Sequence, residues 1–126
     1  MSKQPQVLST TTLIGDKVFS RAGEELGILK ELMVDLYAGQ VKYAVLSINE
    51  FLGLGDQLVA VPWPALSLNA EDHTLTLHVD REELQNAPGF DKDNRPDEAE
   101  YESGWLADLY DYYGYVPSWT NEPEWA

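Results

Sequence analysis

Between positions 13 and 79 the apolar residues recur at every second place, in short runs broken by glycine, proline and acidic turn residues. Such alternation marks strands with one face buried and one face solvated. Lys17-Val18-Phe19-Ser20 is a short strand that Ala22-Gly23 ends. Leu26 to Tyr37 is a long one. One side carries Ile28, Lys30, Leu32, Val34 and Leu36; the other carries Leu29, Glu31, Met33, Asp35 and Tyr37. The first set is the more apolar and is expected to face the core. Ala38-Gly39 supplies a tight turn, and the chain returns through Val41 to Ile48, a stretch rich in β-formers. A two-glycine loop, Gly53-Leu54-Gly55-Asp56, leads to a strand over Gln57–Trp63 that Pro62, lacking an N–H, should end or place at an edge. Leu66 and Leu68 continue weakly. After a turn at Glu71-Asp72-His73, the run Thr74–Val79 alternates cleanly, with Leu75, Leu77 and Val79 inward. Several short strands with little helix predict a small, closed or half-closed β-barrel.

The period then changes. Asp80-Arg81-Glu82-Glu83 is a helix start in which Asp80 caps and Glu83 completes a capping box, and Pro88-Gly89 stops the helix, giving a short helix near 80–86. Further on, Tyr101, Trp105, Leu109 and Tyr112 fall at i, i+4, i+8 and i+11, on one helical face. The helix is expected over about 97–113, with Gly104 a weak point inside it and Gly114 its stop. From Tyr115 to Trp125 no period remains, and the expectation is an extended tail. The domain reading is a flexible N-terminal segment over 1–11, a barrel over 12–90 and an acidic, aromatic extension over 91–126.

Composition sharpens this division. Of 126 residues, 22 are acidic and 8 basic, for a net charge of −14. Residues 1–70 carry a net −2 and residues 71–126 a net −12, and eight of the eleven Trp and Tyr residues lie in 101–126. So acidic a chain is a poor match for a phosphate backbone, whose affinity for proteins comes largely from Lys and Arg; no nucleic-acid partner is expected, and a basic protein partner is favoured. There is no cysteine, which excludes disulfides, iron–sulfur clusters and thiol nucleophiles. The opening residues have no apolar core of a secretory signal, and the longest uncharged run, Gln57–Ala70, is too short and too rich in proline to span a bilayer. A cytoplasmic protein without an integral membrane segment is expected, peripheral association remaining open.

Candidate chemistry is thin. His73 and His78 are five residues apart across a turn and a strand, a spacing that suits no two-ligand metal site on one element. The stretch Asp91–Glu102 has acids at several calcium-loop positions, but Arg95 and Pro96 stand where a ligand and a glycine are needed. The adjacent acids Glu24-Glu25, Glu82-Glu83 and Asp97-Glu98 do not form a carboxylate pair in one cleft. Gly53-Leu54-Gly55 has no Lys-Ser/Thr after it and is not a phosphate loop. No catalytic residue, metal or cofactor is therefore assigned, and the chain is expected not to be an enzyme. The aromatic extension is the feature with chemistry. Tyr101, Trp105, Leu109, Tyr112, Trp119 and Trp125 are the candidate interface residues, because large aromatic side chains gain by leaving water and anchor many interfaces. They either enlarge the chain's own core or lie on another subunit.

Several segments, in order, resemble the PRC-barrel family. Leu13-Ile14-Gly15-Asp16-Lys17-Val18 with Gly23 and Leu26-Gly27 is similar to its opening. Tyr43-Ala44-Val45-Leu46 and Phe51-Leu52-Gly53-Leu54-Gly55 are similar to its middle. Val59-Ala60-Val61-Pro62-Trp63 resembles the proline-ended strand that follows, and Asp80–Leu84 with Ala87-Pro88-Gly89-Phe90 its closing segment. The family takes its name from the cytoplasmic domain of the photosynthetic reaction-centre H subunit and includes the C-terminal domain of a ribosome maturation factor. The resemblance implies a small β-barrel used as a docking surface, with no catalytic motif to carry over, and is nearest to the free-standing bacterial type. The leading expectation is a non-enzymatic module for protein–protein interaction or assembly that forms a homo-oligomer. The alternatives are an accessory-subunit-like protein of a photosynthetic or redox membrane complex, assisting electron or proton transfer, and a small-ligand carrier or enzyme using the barrel mouth.

Overall fold

The computed structural model describes residues 7–48, 57–69, 71–79, 81–85, 89–90 and 104–116. The chain is mainly β. A short helix α1 (Thr10–Leu13) precedes β1 (Lys17–Ser20), β2 (Glu25–Asp35), β3 (Gln40–Ile48) and β4 (Gln57–Pro62). A single 3-10 turn, Trp63–Ala65, leads into β5 (Leu66–Asn69) and β6 (Thr74–Leu77). Helix α2 (Arg81–Gln85), β7 (Gly89–Phe90) and helix α3 (Trp105–Tyr112) complete the described chain. α1 lies at the end of the segment read as a flexible N-terminus: Ser9 caps it by accepting from the Thr11 N–H, and Leu13 is buried.

The strands form one seven-stranded sheet in the order β5-β6-β1-β2-β3-β4-β7. Among the described strands every pairing is antiparallel except β1–β6, which is parallel. In a flat sheet β4 and β5 would lie five strand spacings apart, about 24 Å. Yet the chain passes from Pro62 to Leu66 through three intervening residues, which reach at most about 14 Å. The sheet must therefore curl until its two sides approach. The Ala65 carbonyl accepts from the His78 N–H at 2.8 Å, fastening the connection to the chain just beyond β6. This is the barrel expected from the alternation, with one qualification. The two-residue β7 and the four-residue β5 remain the edges, so among the described residues no ladder seals the seam.

The core holds Val18, Leu29, Leu46, Ile48, Val61, Leu75 and Leu77, all shielded from solvent. Leu75, Leu77 and Val79 are buried, as alternation predicts. β2 departs from it. Leu29, on the side read as the poorer one, is in the core, while Val34 is about half exposed. Two irregularities explain the switch. In the β2–β3 register Leu29 pairs with Leu46 but Glu31 with Val45, so Lys30 is an extra residue. Met33 then pairs with Tyr43 and Val34 with Val41, so Lys42 is extra on the opposing strand. Each bulge reverses which side chains face inward, and a single period cannot describe the whole strand.

The strand also stops sooner than its hydrophobicity suggests. The Asp35 carboxylate accepts from the N–H groups of Tyr37 and Ala38, and the Asp35 carbonyl accepts from Gly39, whose φ is +66°. That turn takes Leu36 and Tyr37 out of the ladder and into solvent. β3 and β4 are different again. Lys42 to Ile48 and Leu58 to Pro62 are buried without alternation, the signature of strands covered on both faces.

At Gly27 the backbone of β3 comes close. A Cβ built there would lie 2.1 Å from the Ser47 carbonyl oxygen and 3.0 Å from the Ser47 carbonyl carbon. Those atoms belong to the β2–β3 ladder and cannot turn aside. Gly27→Ala is expected to lower the unfolding free energy by about 3 kcal/mol, the upper end of ordinary overpacking costs, as measured by urea denaturation. A loss below about 1 kcal/mol would mean that the two strands can separate locally at no great cost.

Candidate functional site

The described part of the aromatic extension packs on the outer side of β3 and β4. Gly104 takes a left-handed conformation, φ +97°, and is the N-cap of α3. The described helix accordingly begins at Trp105; the 97–103 part of the expected helix lies outside the described residues. At the other end the Gly114 N–H reaches the Asp111 carbonyl and the Tyr115 N–H the Tyr110 carbonyl, with Gly114 at φ +81°. This paired closure is a Schellman stop, placed where the glycine predicted it.

Of the six candidate interface residues, three fall within the described chain. Leu109 is buried in the core. Trp105 packs against that core and meets Tyr43 edge to face, with ring centroids 5.2 Å apart and an interplanar angle of 62°. Such a pair is worth about 0.5–1.5 kcal/mol beyond its area. Tyr112 is 41% exposed and its hydroxyl donates to the Glu83 carbonyl of α2 at 2.8 Å. Tyr101, Trp119 and Trp125 lie outside the described residues, as do Gly53-Leu54-Gly55, the acidic Asp91–Glu102 stretch, the Asp80 cap and the tail beyond Val116.

The sequence reading passed over two tyrosines that matter more. Tyr110 is buried and its hydroxyl donates to the Lys42 carbonyl, on the residue that bulges from β3. Tyr113 is also buried, edge to face with Tyr112 at 4.9 Å, but its hydroxyl has no partner among the described residues. The inward stripe is thus the buried Leu109, Tyr110 and Tyr113 with the partly buried Trp105, turned by about one residue from the expected one. Reading positions i, i+4, i+5 and i+8 from Trp105 would have found it.

Burial pushes the ionisation of both phenols upward. At Tyr110 a backbone hydrogen bond from Trp63 works against the shift. At Tyr113 the charges that Tyr112 and Glu83 can carry add to it. The histidines do not converge on a site. His73 sits exposed in the β5–β6 turn with φ +55°, and the His78 ring meets the Ser67 hydroxyl. Among the described residues no three His, Asp or Glu side chains are grouped to hold a metal ion.

Two surface features lie at the turn end of the β2–β3 hairpin. The first is its tip, where Leu36 is 91% exposed and Tyr37 fully so, with Val34 beneath them. The second is an open groove of about 330 Å³. Gln40, Val41 and Lys42 form one wall, Trp63 and Pro64 another, and Tyr110 and Val116 close it. The Lys42 ammonium donates to the Gln40 side-chain oxygen at 3.1 Å.

A small, curled mixed sheet with a proline-ended strand and a helix laid over its outer face defines a compact barrel module. The model of the PRC-barrel domain matches residues 5–84, well over half of the 126 residues, and the chain belongs to that family. The match takes in α1 and runs into α2, and leaves the aromatic extension outside. Comparison with curated proteins finds no match. Among the described residues no helix is long and apolar enough to cross a membrane.

Tyr110 and Tyr113 should respond oppositely to loss of the hydroxyl. Tyr110→Phe leaves the buried Lys42 carbonyl short of a donor and is expected to cost about 1 kcal/mol. Tyr113→Phe removes an unpartnered buried hydroxyl and is expected to leave stability unchanged or raise it by about 1 kcal/mol at pH 7. The Tyr113 phenol ionises more readily unfolded than folded, so folding binds the proton more tightly. Its stabilising share is complete below the ordinary tyrosine value of 10.0 and declines as pH rises above it. Tyr113→Phe should therefore flatten part of the fall in urea midpoint between about pH 10 and 11. An unchanged alkaline slope would show that Tyr113 is not shielded from water.

Proposed function

We propose that the chain is a non-enzymatic module for protein–protein interaction or assembly, and that it self-associates through the β2–β3 hairpin tip. The observation that carries this reading is the pair Leu36 and Tyr37, held almost entirely in solvent by a turn whose backbone bonds are satisfied. The Asp35 side chain and Gly39 build that turn for its own sake, so the two apolar side chains are displayed on a fixed support. A large aromatic beside an aliphatic residue is the chemistry of an interface anchor. Val34 extends the apolar surface down the strand.

The expected contact surface therefore moves. Trp105 and Leu109, the foremost interface candidates of α3, are directed at the chain's own sheet, and the hairpin tip takes their place. The net charge of −14 makes two copies repel at long range. Association must then come from short-range apolar contact and should strengthen with salt, which screens the repulsion. The same charge directs any different partner toward a basic surface.

Light scattering on the full chain tests the reading. A dimer or larger species is expected at high concentration, favoured by 0.5 M salt. Leu36→Glu and Tyr37→Glu should each weaken it about tenfold or more, while the melting temperature stays within a few degrees. A chain that remains monomeric at about 1 mM, or whose association ignores both substitutions, overturns it.

A further inference from the structure

The hairpin tip by itself is too small to hold two copies together. A stable interface engages about 20–30 residues a side, whereas the tip offers Val34, Leu36 and Tyr37. Association through it needs a receiving surface, and one lies alongside. Gln40 and Val41, the first residues of β3 after the turn, line the open groove. Val41 pairs with Val34 across the β2–β3 ladder, and side chains paired in an antiparallel ladder stand on one face. Apolar surface therefore continues from the tip, through Val34 and Val41, into the groove. Its further walls are Trp63, Pro64 and Tyr110, together with the 74% exposed Val116. The volume, about 330 Å³, is at the lower end of ligand-sized hollows. It suits one large side chain, and aromatic walls favour an aromatic one.

We propose that the groove is the receptor for the hairpin tip of a second copy, with Tyr37 entering between Val41 and Trp63. This rests on self-association through the tip and names the surface on which the tip docks. Two arguments select a second copy as occupant. The first is area. Docking each tip in the other copy's groove adds the groove walls to the contact twice over, where tips meeting each other bury the same few side chains and nothing more. The second is closure. Tip and groove sit at one end of the molecule, Tyr37 and Gln40 being three residues apart, a reach of at most about 10 Å. One two-fold axis can then satisfy both contacts at once, which is the condition for an isologous dimer. A receptor remote from the tip would instead string copies into open chains. The assembly is thus a closed dimer.

The absence of native cysteine allows a direct test in the full-length chain. Ala38→Cys marks the tip and Val116→Cys the groove; both positions are exposed, and neither substitution touches Leu36 or Tyr37. The two single-cysteine chains, one of them isotopically labelled, are mixed under the conditions that favour association and treated with a short bismaleimide. Each chain has one thiol, so every cross-link joins two copies, and intact mass identifies the pair. The mixed tip-to-groove product is expected to form at least about tenfold faster than either like pair. A dominant Ala38–Ala38 product overturns the groove as receptor and leaves association through the tip standing. Equal rates for all three pairs, or a dominant Val116–Val116 product, also overturn it. No cross-linked dimer of any kind overturns both this proposal and the self-association on which it rests. As a second measurement, Val116→Glu should weaken association about tenfold in light scattering at 0.5 M salt with the melting temperature held. Ala22→Glu, the same charge placed in the β1–β2 turn at the opposite end of β2, should not. Association that ignores Val116→Glu, or responds equally to both, counts against the groove.

Discussion

The three-residue passage from Pro62 to Leu66 is the constraint on which the rest depends. It joins a strand near one edge of the sheet to the strand at the opposite edge, and no flat arrangement allows so short a link. Curling follows from chain length alone. Once curled, the inner faces of β1, β2, β3, β4 and β6 converge on one small volume, and Val18, Leu29, Leu46, Val61, Leu75 and Leu77 fill it. The outer faces of β3 and β4 are then convex and apolar, and α3 covers them. Trp63, in the short passage itself, also forms a wall of the groove at which α3 and the chain beyond it arrive. The geometry of the core and the geometry of the surface hollow thus share one cause.

The strands were legible wherever one face is buried and nothing interrupts the ladder. β1, β6 and the stop at Gly114 follow from residues 17–20, from the Thr/Leu alternation of 74–77 and from a glycine at a left-handed position. β2 was legible as a strand but not in its facing. Lys30 and Lys42 are extra residues in the β2–β3 ladder, and a bulge leaves no mark on composition. The uniform burial of β3 and β4 could be read as strand, but the cause of it, a helix from a distant part of the chain, could not. α3 was legible as a helix, but not the role of Gly104, which reads as a tolerated interior residue and is the cap of the described helix.

The candidate surfaces were harder to see because they arise from backbone geometry, not from residue type. Leu36 and Tyr37 look like the last turn of an amphipathic strand. Only the Asp35 side chain, bonding the N–H groups that a ladder would have used, reveals that they are displayed. Tyr110 and Tyr113 have equal hydrophobicity and neighbouring positions, yet one hydroxyl reaches the carbonyl of the bulged Lys42 and the other reaches none among the described residues. That distinction belongs to the register of β3 and is invisible one strand at a time.

The parallel pairing of β1 with β6 has a consequence for how the chain assembles during synthesis. β1 takes β2 as one neighbour after a short turn, but its other neighbour is β6, with Lys17 beside Thr74. Antiparallel hairpins can zip as they emerge from the ribosome, whereas this pairing must wait until most of the barrel has been made. Until then the first strand offers a bare edge to any passing chain, and Lys17, charged and at its outset, is a residue type that discourages such capture.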